Sequence, residues 1–353
     1  MALMVLVLFS CGGDGKSGKQ GGKSLFTPVS SGHPYEMLVV IDKGLWERPA
    51  GRALFNALDM DVPGLPQPER SFRISNIGPD KFDRGFRIFR NIIDVDIQPI
   101  YTQPKLKYSR DSYASPQMIM TIQAPDEQSF EEFVDKNKQV IVDFFTKAEM
   151  NRQISLLKKK HSDLISTKIG SMFGCDVWVP VELERYKQGT DFLWASSDNN
   201  ASDVSMNFVI YSYPYTDKDT FTKDYFVHKR DSVMKINIPG SREGQYIQTD
   251  ADYVNVKNFS VKGEYAFEAR GLWYMENDMM GGPFVSHARV DRPNGRVVVV
   301  EAFIYAPEKK KRDLMRKMEA SLYTLNLPQE QELEEIVVGV ELEEDKQSAP
   351  AQE

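Results

Sequence analysis

Two Gly-Lys-Ser triplets, Gly15-Lys16-Ser17 and Gly22-Lys23-Ser24, are the first residues whose types suggest chemistry. A glycine-rich loop ending this way can cradle phosphate on its backbone N–H groups, but it needs a glycine five positions before the Gly-Lys pair. Ser10 and Ser17 stand there, and Leu25-Phe26-Thr27-Pro28 opens no helix, so no nucleotide site is expected. Ser155-Leu156-Leu157-Lys158 has the spacing of an acyl-transfer Ser-x-x-Lys, and Ser197-Asp198-Asn199 fits its second element. The third, Lys-Thr-Gly, is absent, and so is a Gly-x-Ser-x-Gly elbow. His33, His161, His228 and His287 are scattered without a second histidine or cysteine at metal-ligand spacing, so neither metal nor other cofactor is expected. Asp42 ends an apolar run where open α/β sheets place ligands, although an aspartate there more commonly starts a turn.

Cys11 offers a different chemistry. Ala2 to Phe9 is an unbroken apolar run, too short to span a bilayer, which takes about 20 residues, and suited to a secretory signal. Leu8-Phe9-Ser10-Cys11 follows at once and resembles the lipobox of bacterial lipoproteins, in which the cysteine sulfur takes a diacylglycerol and becomes the new amino terminus. Phe9 is bulkier than that pattern prefers, and no basic residue precedes the run, which fits a start codon further upstream. Gly12 to Ser24 carries six glycines, three lysines and no large apolar group, the composition of a flexible tether with a span on the order of 20 Å. With Cys11 acylated, Cys175 has no partner for a disulfide and reads as a buried, inert thiol.

Arg270-Gly271-Leu272-Trp273-Tyr274, followed by Gly281-Gly282-Pro283-Phe284, is the densest remaining feature. Arg270 and Trp273 could line a ligand or partner groove, since arginine and tryptophan dominate binding hot spots. Trp194 could stack on a glycan. The structural alternative is a strand tryptophan with glycines that permit a turn.

These residues need elements to hold them. Strands are expected at Glu36–Asp42, Phe72–Ile77, Ile92–Ile97 and Met118–Ala124, with a helix near Glu47–Leu58 and a Pro-rich loop at Val62–Pro68. A long helical region from Asp126 to about Lys168, offset near Asn151, would join two halves. The second half predicts strands at Val177–Val181, Asp191–Ala195 and Met206–Tyr213 and a helix near Asp217–Lys235. An antiparallel meander follows at Tyr265–Met275, Phe284–Asp291 and Arg296–Ala306, with an Asn294-Gly295 hairpin, then a helix at Glu308–Tyr323. The expected class is α+β. Four strands run into a proline ahead of a helix, at Pro79, Pro125, Pro214 and Pro307. Two readings fit, related units from a duplication or independent use of a common helix start.

The 353 residues have ordinary globular composition, 41% apolar and 27% charged, with a net charge of −7. The charge is uneven: Glu330 to Glu353 holds nine acidic residues and one lysine, which leaves the rest at +1. With no basic stretch interleaved with aromatics, nucleic-acid binding is not expected. The organisation read here is a signal peptide at 1–10, a lipid-anchored tether at 11–30, an α/β domain at 31–168, an antiparallel α+β domain at 169–328 and an acidic, disordered tail at 329–353. Ile336–Val340, an apolar run inside the acid, is compatible with an added strand instead.

The leader, the loop Asp61-Val62-Pro63-Gly64-Leu65-Pro66-Gln67-Pro68-Glu69 and the Arg270–Phe284 stretch together resemble a Bacteroidota lipoprotein family catalogued as a domain of unknown function, number 4837, over about residues 11 to 328. The resemblance implies a location and no catalytic residues: an outer-membrane lipoprotein, with Gly12 favouring the periplasmic face over the cell surface. The expectation is a non-enzymatic envelope protein that binds a protein partner or supports assembly. The alternatives are a glycan or small-ligand binder using Arg270, Trp273 or Trp194, and a carboxylate-based hydrolase.

Overall fold

A computed structural model of the chain describes residues 27–197, 203–330 and the short strand 343–344. Cys11, the Gly-Lys-Ser triplets, Asp198-Asn199 and Ile336–Val340 lie outside the described residues. Among the described residues the architecture is α+β, with two sheets joined by one long helix.

The first sheet holds β1 (Glu36–Val40), β2 (Arg73–Ile77), β3 (Asn91–Ile97), β4 (Lys105–Arg110) and β5 (Met118–Ala124), with β13 (Glu343–Glu344) at its edge. Its order is β13-β4-β5-β3-β1-β2, and β2, β1, β3 and β5 run parallel. Alternation along these strands sends Met37, Val39, Ile93, Met120 and Ile122 to a core covered by α2 (Pro49–Leu58) and α4 (Glu127–Lys159). Leu38, Val40, Ile92 and Ile119 form a smaller cluster on the other face, beside Phe82 and Phe89 around the short α3 (Arg84–Arg87). The expected helix near Glu47–Leu58 is two pieces: α1 (Lys43–Trp46), capped by Asp42, then α2, with Pro49 in its first turn.

At 33 residues α4 is about 50 Å long, enough to reach both sheets. Its first turns bury Phe130, Val134, Ile141 and Phe145 on the first sheet, and its last turns place Met150, Ile154 and Leu157 against Ala320 of the second unit. No offset occurs near Asn151. The helix breaks instead at 160–162, before α5 (Asp163–Phe173). No helix among the described residues is long and apolar enough to cross a membrane.

The second sheet is antiparallel throughout, in the order β6-β7-β8-β12-β11-β10-β9. Its strands are β6 (Arg185–Gly189), β7 (Phe192–Ser196), β8 (Ser205–Pro214), β9 (Ile247–Val261), β10 (Glu264–Met275), β11 (Gly281–Asp291) and β12 (Arg296–Tyr305). Both faces are buried, so β12 reads as a nearly continuous apolar run. Val298, Val300, Ala302 and Ile304 pack under α5 and α7 (Arg312–Tyr323), whereas Val297, Val299 and Phe303 pack under α6 (Lys223–Asn237). Val177–Val181 is not a strand: Val177 and Val179 are buried, but Trp178 N–H donates to Thr324 Oγ1. Pro79 opens a 3-10 helical turn, Pro79–Lys81, as expected, whereas the other three prolines end strands more than they start helices. Pro125 precedes the Asp126 cap of α4, Pro214 is the last residue of β8, and Pro307 lies five residues before α7. With two of them after parallel strands and two after antiparallel ones, nothing in the topology favours a duplication.

Candidate functional site

The residues that meet most densely do so where the two units touch. β10 alternates, so Phe267 and Ala269 face α6 while Glu268 and Arg270 face α7. Five ionisable side chains become linked there. Glu268 accepts from Arg270 Nε at 2.7 Å, lies 3.2 Å from Lys257 Nζ, and has His287 Nε2 at 3.3 Å. Arg270 reaches on to Glu319 of α7 at 2.8 Å. Burial works against the Glu268 charge, but Arg270 and His287 outweigh it and hold the carboxyl well below the usual range. Burial opposes the Glu319 charge too, and Arg270 with Arg316 keeps its carboxyl low. Tyr323 closes the cluster edge-on to His287 at 4.8 Å, its hydroxyl pushed well above the ordinary value by burial first and Glu319 second.

A loop from the first unit covers this cluster. Gly64 sits at φ 78°, a backbone region L side chains rarely adopt, and a Cβ there would lie 3.5 Å from the Arg270 side chain. Leu65 packs into the second unit's core, and Glu69 accepts from the Lys311 and Arg312 N–H groups at 2.6 and 3.2 Å, capping α7 from across the seam. Arg312 donates to Arg70 O at 2.7 Å, and both Arg312 and Arg316 lie over the Tyr35 ring. Glu319 Oε2, Arg316 Nε and His287 Nδ1 are buried without a hydrogen-bond partner among the described residues.

The structure does not bring Arg270, Trp273 and Trp194 together. Arg270 faces α7, fully engaged by Glu268 and Glu319. Trp273 faces α6, buried, its Nε1–H given to Ile304 O at 3.2 Å. Gly282 makes that contact possible, because a Cβ there would stand 2.0 Å from Ile304 O. Trp194 lies on β7, with three strands between it and β10, and donates to Asn207 Oδ1 at 2.9 Å. Ser155 is near the carboxyl end of α4, bonded back to Asn151 O, and opens no helix. Asp42 starts a turn by accepting from Leu45 N–H. Cys175 is buried, its thiol pushed up to about 12 by burial. Sequence reasoning missed Glu268 and Glu319. The available signal was charge at both inward positions of Phe267-Glu268-Ala269-Arg270, in a strand too apolar to be an edge.

Residues 162–324 match the model of the family described as Domain of unknown function (DUF4837). Residues 30–158 match a different model, Domain of unknown function (DUF8532), so the single family expected over 11–328 covers the second unit only. The gap between the two matches falls at the α4–α5 break. The Asp61–Glu69 loop therefore falls within the DUF8532 match while resting on Arg270, within the DUF4837 match. No curated protein matches the chain. Among solved structures, the human StarD13 (DLC2) lipid transfer and protein localization domain is similar at 9% identity, over 39% of this chain and 88% of that one, with a TM-score of 0.21.

In the first unit, the carboxyl end of β3 holds a second cluster. Asp96 accepts from Gln98 Nε2 at 2.6 Å, from Gln123 Nε2 at 3.0 Å and from the Tyr101 hydroxyl. Asp94 stands two residues away on the same face, and burial followed by Asp96 raises its carboxyl to about 6. A folded-state value above the ordinary 3.8 means stability is lost as pH rises from about 4 to 6. Asp94→Asn is expected to remove that dependence and raise stability at pH 7.5, on the order of 1–3 kcal/mol. Urea midpoints at pH 5 and 7.5 check this, and an asparagine variant less stable than the unaltered chain at pH 7.5 would refute it.

Proposed function

We propose that this chain is a lipid-anchored bacterial envelope protein, of the Bacteroidota lipoprotein kind, whose folded body binds a protein partner rather than catalysing a reaction. The anchor is Cys11, the membrane is the outer one, and the body hangs on the periplasmic side through the Gly12–Ser24 tether. One observation carries the partner reading. β9 is a 15-residue strand at the end of its sheet, with Tyr253 and Val256 exposed, so beyond Thr249, whose N–H donates to Asp231 Oδ1 at 2.9 Å, its outer edge offers ladder groups to an extended segment. Met279, fully exposed, stands at the tip of the β10–β11 hairpin beside Tyr274, which donates to Gln248 of β9 at 2.7 Å. The buried charges support the same reading, because Arg270, Glu268, Glu319, Arg230 and Glu301 are spent on one another.

The anchor is tested by palmitate labelling in cells that express the chain with its own leader. The unaltered protein should take the label and sediment with membranes, and Cys11→Ala should lose both properties. A labelled alanine variant would overturn the assignment of Cys11.

A further inference from the structure

One edge of the first sheet is already covered, by a strand of unusual charge. β4, Lys105-Leu106-Lys107-Tyr108-Ser109-Arg110, turns Leu106 and Tyr108 into the core, where Tyr108 packs on Phe144 at 5.5 Å. Alternation puts Lys105 and Lys107 on the opposite face. Lysine on an edge strand normally discourages further pairing. β13 pairs there all the same, parallel to β4, with Glu343 opposite Lys107 and Glu344 opposite Tyr108. It comes from the segment that carries nine of the chain's acids against one lysine. A basic edge has thus been matched with the most acidic stretch available.

We infer that the outer edge of β4 is a docking edge for an acidic extended strand, and that the chain's own C-terminal tail occupies it in cis as a tethered, exchangeable strand. Opposite charges facing each other in a ladder contribute only about 0.2–1 kcal/mol per pair. A two-residue pairing is therefore too short to persist without the tether, which raises the local concentration to the millimolar range. The tether has a fixed origin. Glu330 is buried and accepts from Arg289 Nη1 and Leu327 N, both at 3.1 Å. From Glu330 to Glu343 the backbone can reach at most about 45 Å, so pairing at Glu343–Glu344 would link the second unit to the β4 edge of the first sheet. Attraction of this kind is screened by salt. Release would leave an open, lysine-bearing edge selective for another acidic strand. The edge is separate from β9 and does not depend on the lipid anchor.

The test uses the full chain and a variant of it, Glu341→Gln, Glu343→Gln, Glu344→Gln and Asp345→Asn combined, which neutralises the strand without shortening the protein. Amide hydrogen exchange over β4 should be about 2- to 5-fold slower in the unaltered chain, and about 0.5 M salt should abolish the difference. A fluorescently labelled peptide of residues 331–353 should bind the neutralised variant about 2- to 5-fold more tightly than the unaltered chain, whose edge is filled. Adding Lys107→Glu to the variant should weaken that binding at unchanged melting temperature. Equal β4 exchange in the two chains, or equal peptide affinity, would overturn the inference. A dimer of the unaltered chain that dissociates when the tail is neutralised would assign the edge to a second copy and overturn the in-cis occupant.

Discussion

Glu301→Leu is expected to destabilise the protein by about 3–5 kcal/mol. Glu301 on β12 and Arg230 on α6 are both completely buried. Arg230 Nε lies 3.0 and 2.9 Å from the two carboxylate oxygens and Nη2 lies 2.7 Å from one of them, while Nη1 donates to Thr249 Oγ1 at 2.8 Å. The guanidinium also rests over the Phe284 ring at 4.2 Å. Arginine does not deprotonate in proteins, so removing Glu301 strands a charge in a dry core. The converse variant is milder. In Arg230→Met, burial raises Glu301 without opposition, the acid takes up a proton, and the cost shrinks as pH falls. Replacing both residues with apolar ones should recover most of the loss, because a buried pair is seldom better than well-packed hydrophobes. Denaturant midpoints at pH 7 should rank Glu301→Leu as the least stable, Arg230→Met next and the double variant closest to the unaltered chain. A cost for Glu301→Leu below about 1 kcal/mol would contradict a buried charge pair.

Arg270→Met is expected to cost a similar amount, about 3–5 kcal/mol at pH 7, and to change the pH profile as well. In the unaltered chain Glu268 and Glu319 are held below the ordinary carboxylate range, so their contribution is present above that range and lost as pH falls through the folded values. Without Arg270, burial dominates and both carboxyls move upward. The variant should then lose stability as pH rises from 4 to 7, opposite in sign to the parent. The Gly64–Leu65 loop, which lies on the Arg270 side chain, should also become more sensitive to proteases. Urea titrations from pH 4 to 7 decide the matter. A variant that keeps the acid profile of the parent would show that Arg270 does not set the charge state of the seam.

Strands packed on a core were legible from sequence, as was the edge strand β2, whereas β4, β6 and β9 were not. β1, β3, β5, β8, β10, β11 and β12 have apolar or alternating runs because one or both of their faces meet a core. β4, β6 and β9 have no such runs. β6 and β9 sit at sheet edges and β4 lies beside the two-residue β13, where much of the surface meets water, and sequences such as Arg185-Tyr186-Lys187-Gln188-Gly189 look like loops. Val177–Val181 misled in the opposite direction: its valines are buried, but its backbone bonds go to Thr324 and Ser162 instead of a neighbouring strand. The Asp61–Glu69 loop and the Arg270 stretch each stood out in the sequence. Their contact did not, since about 200 residues separate them and only the fold brings Gly64 onto Arg270.

The central claim, an anchored protein whose free sheet edge meets a partner, is tested most directly by site-specific photo-crosslinking in cells. A photoreactive residue would replace Tyr253 or Met279, with Ile100 on the first unit as a control position, in chains that keep the native leader. The account predicts one envelope protein captured from both test positions, not from position 100, and lost when Cys11 is alanine. Capture of nothing at positions 253 and 279, with the protein intact and membrane-bound, would contradict it.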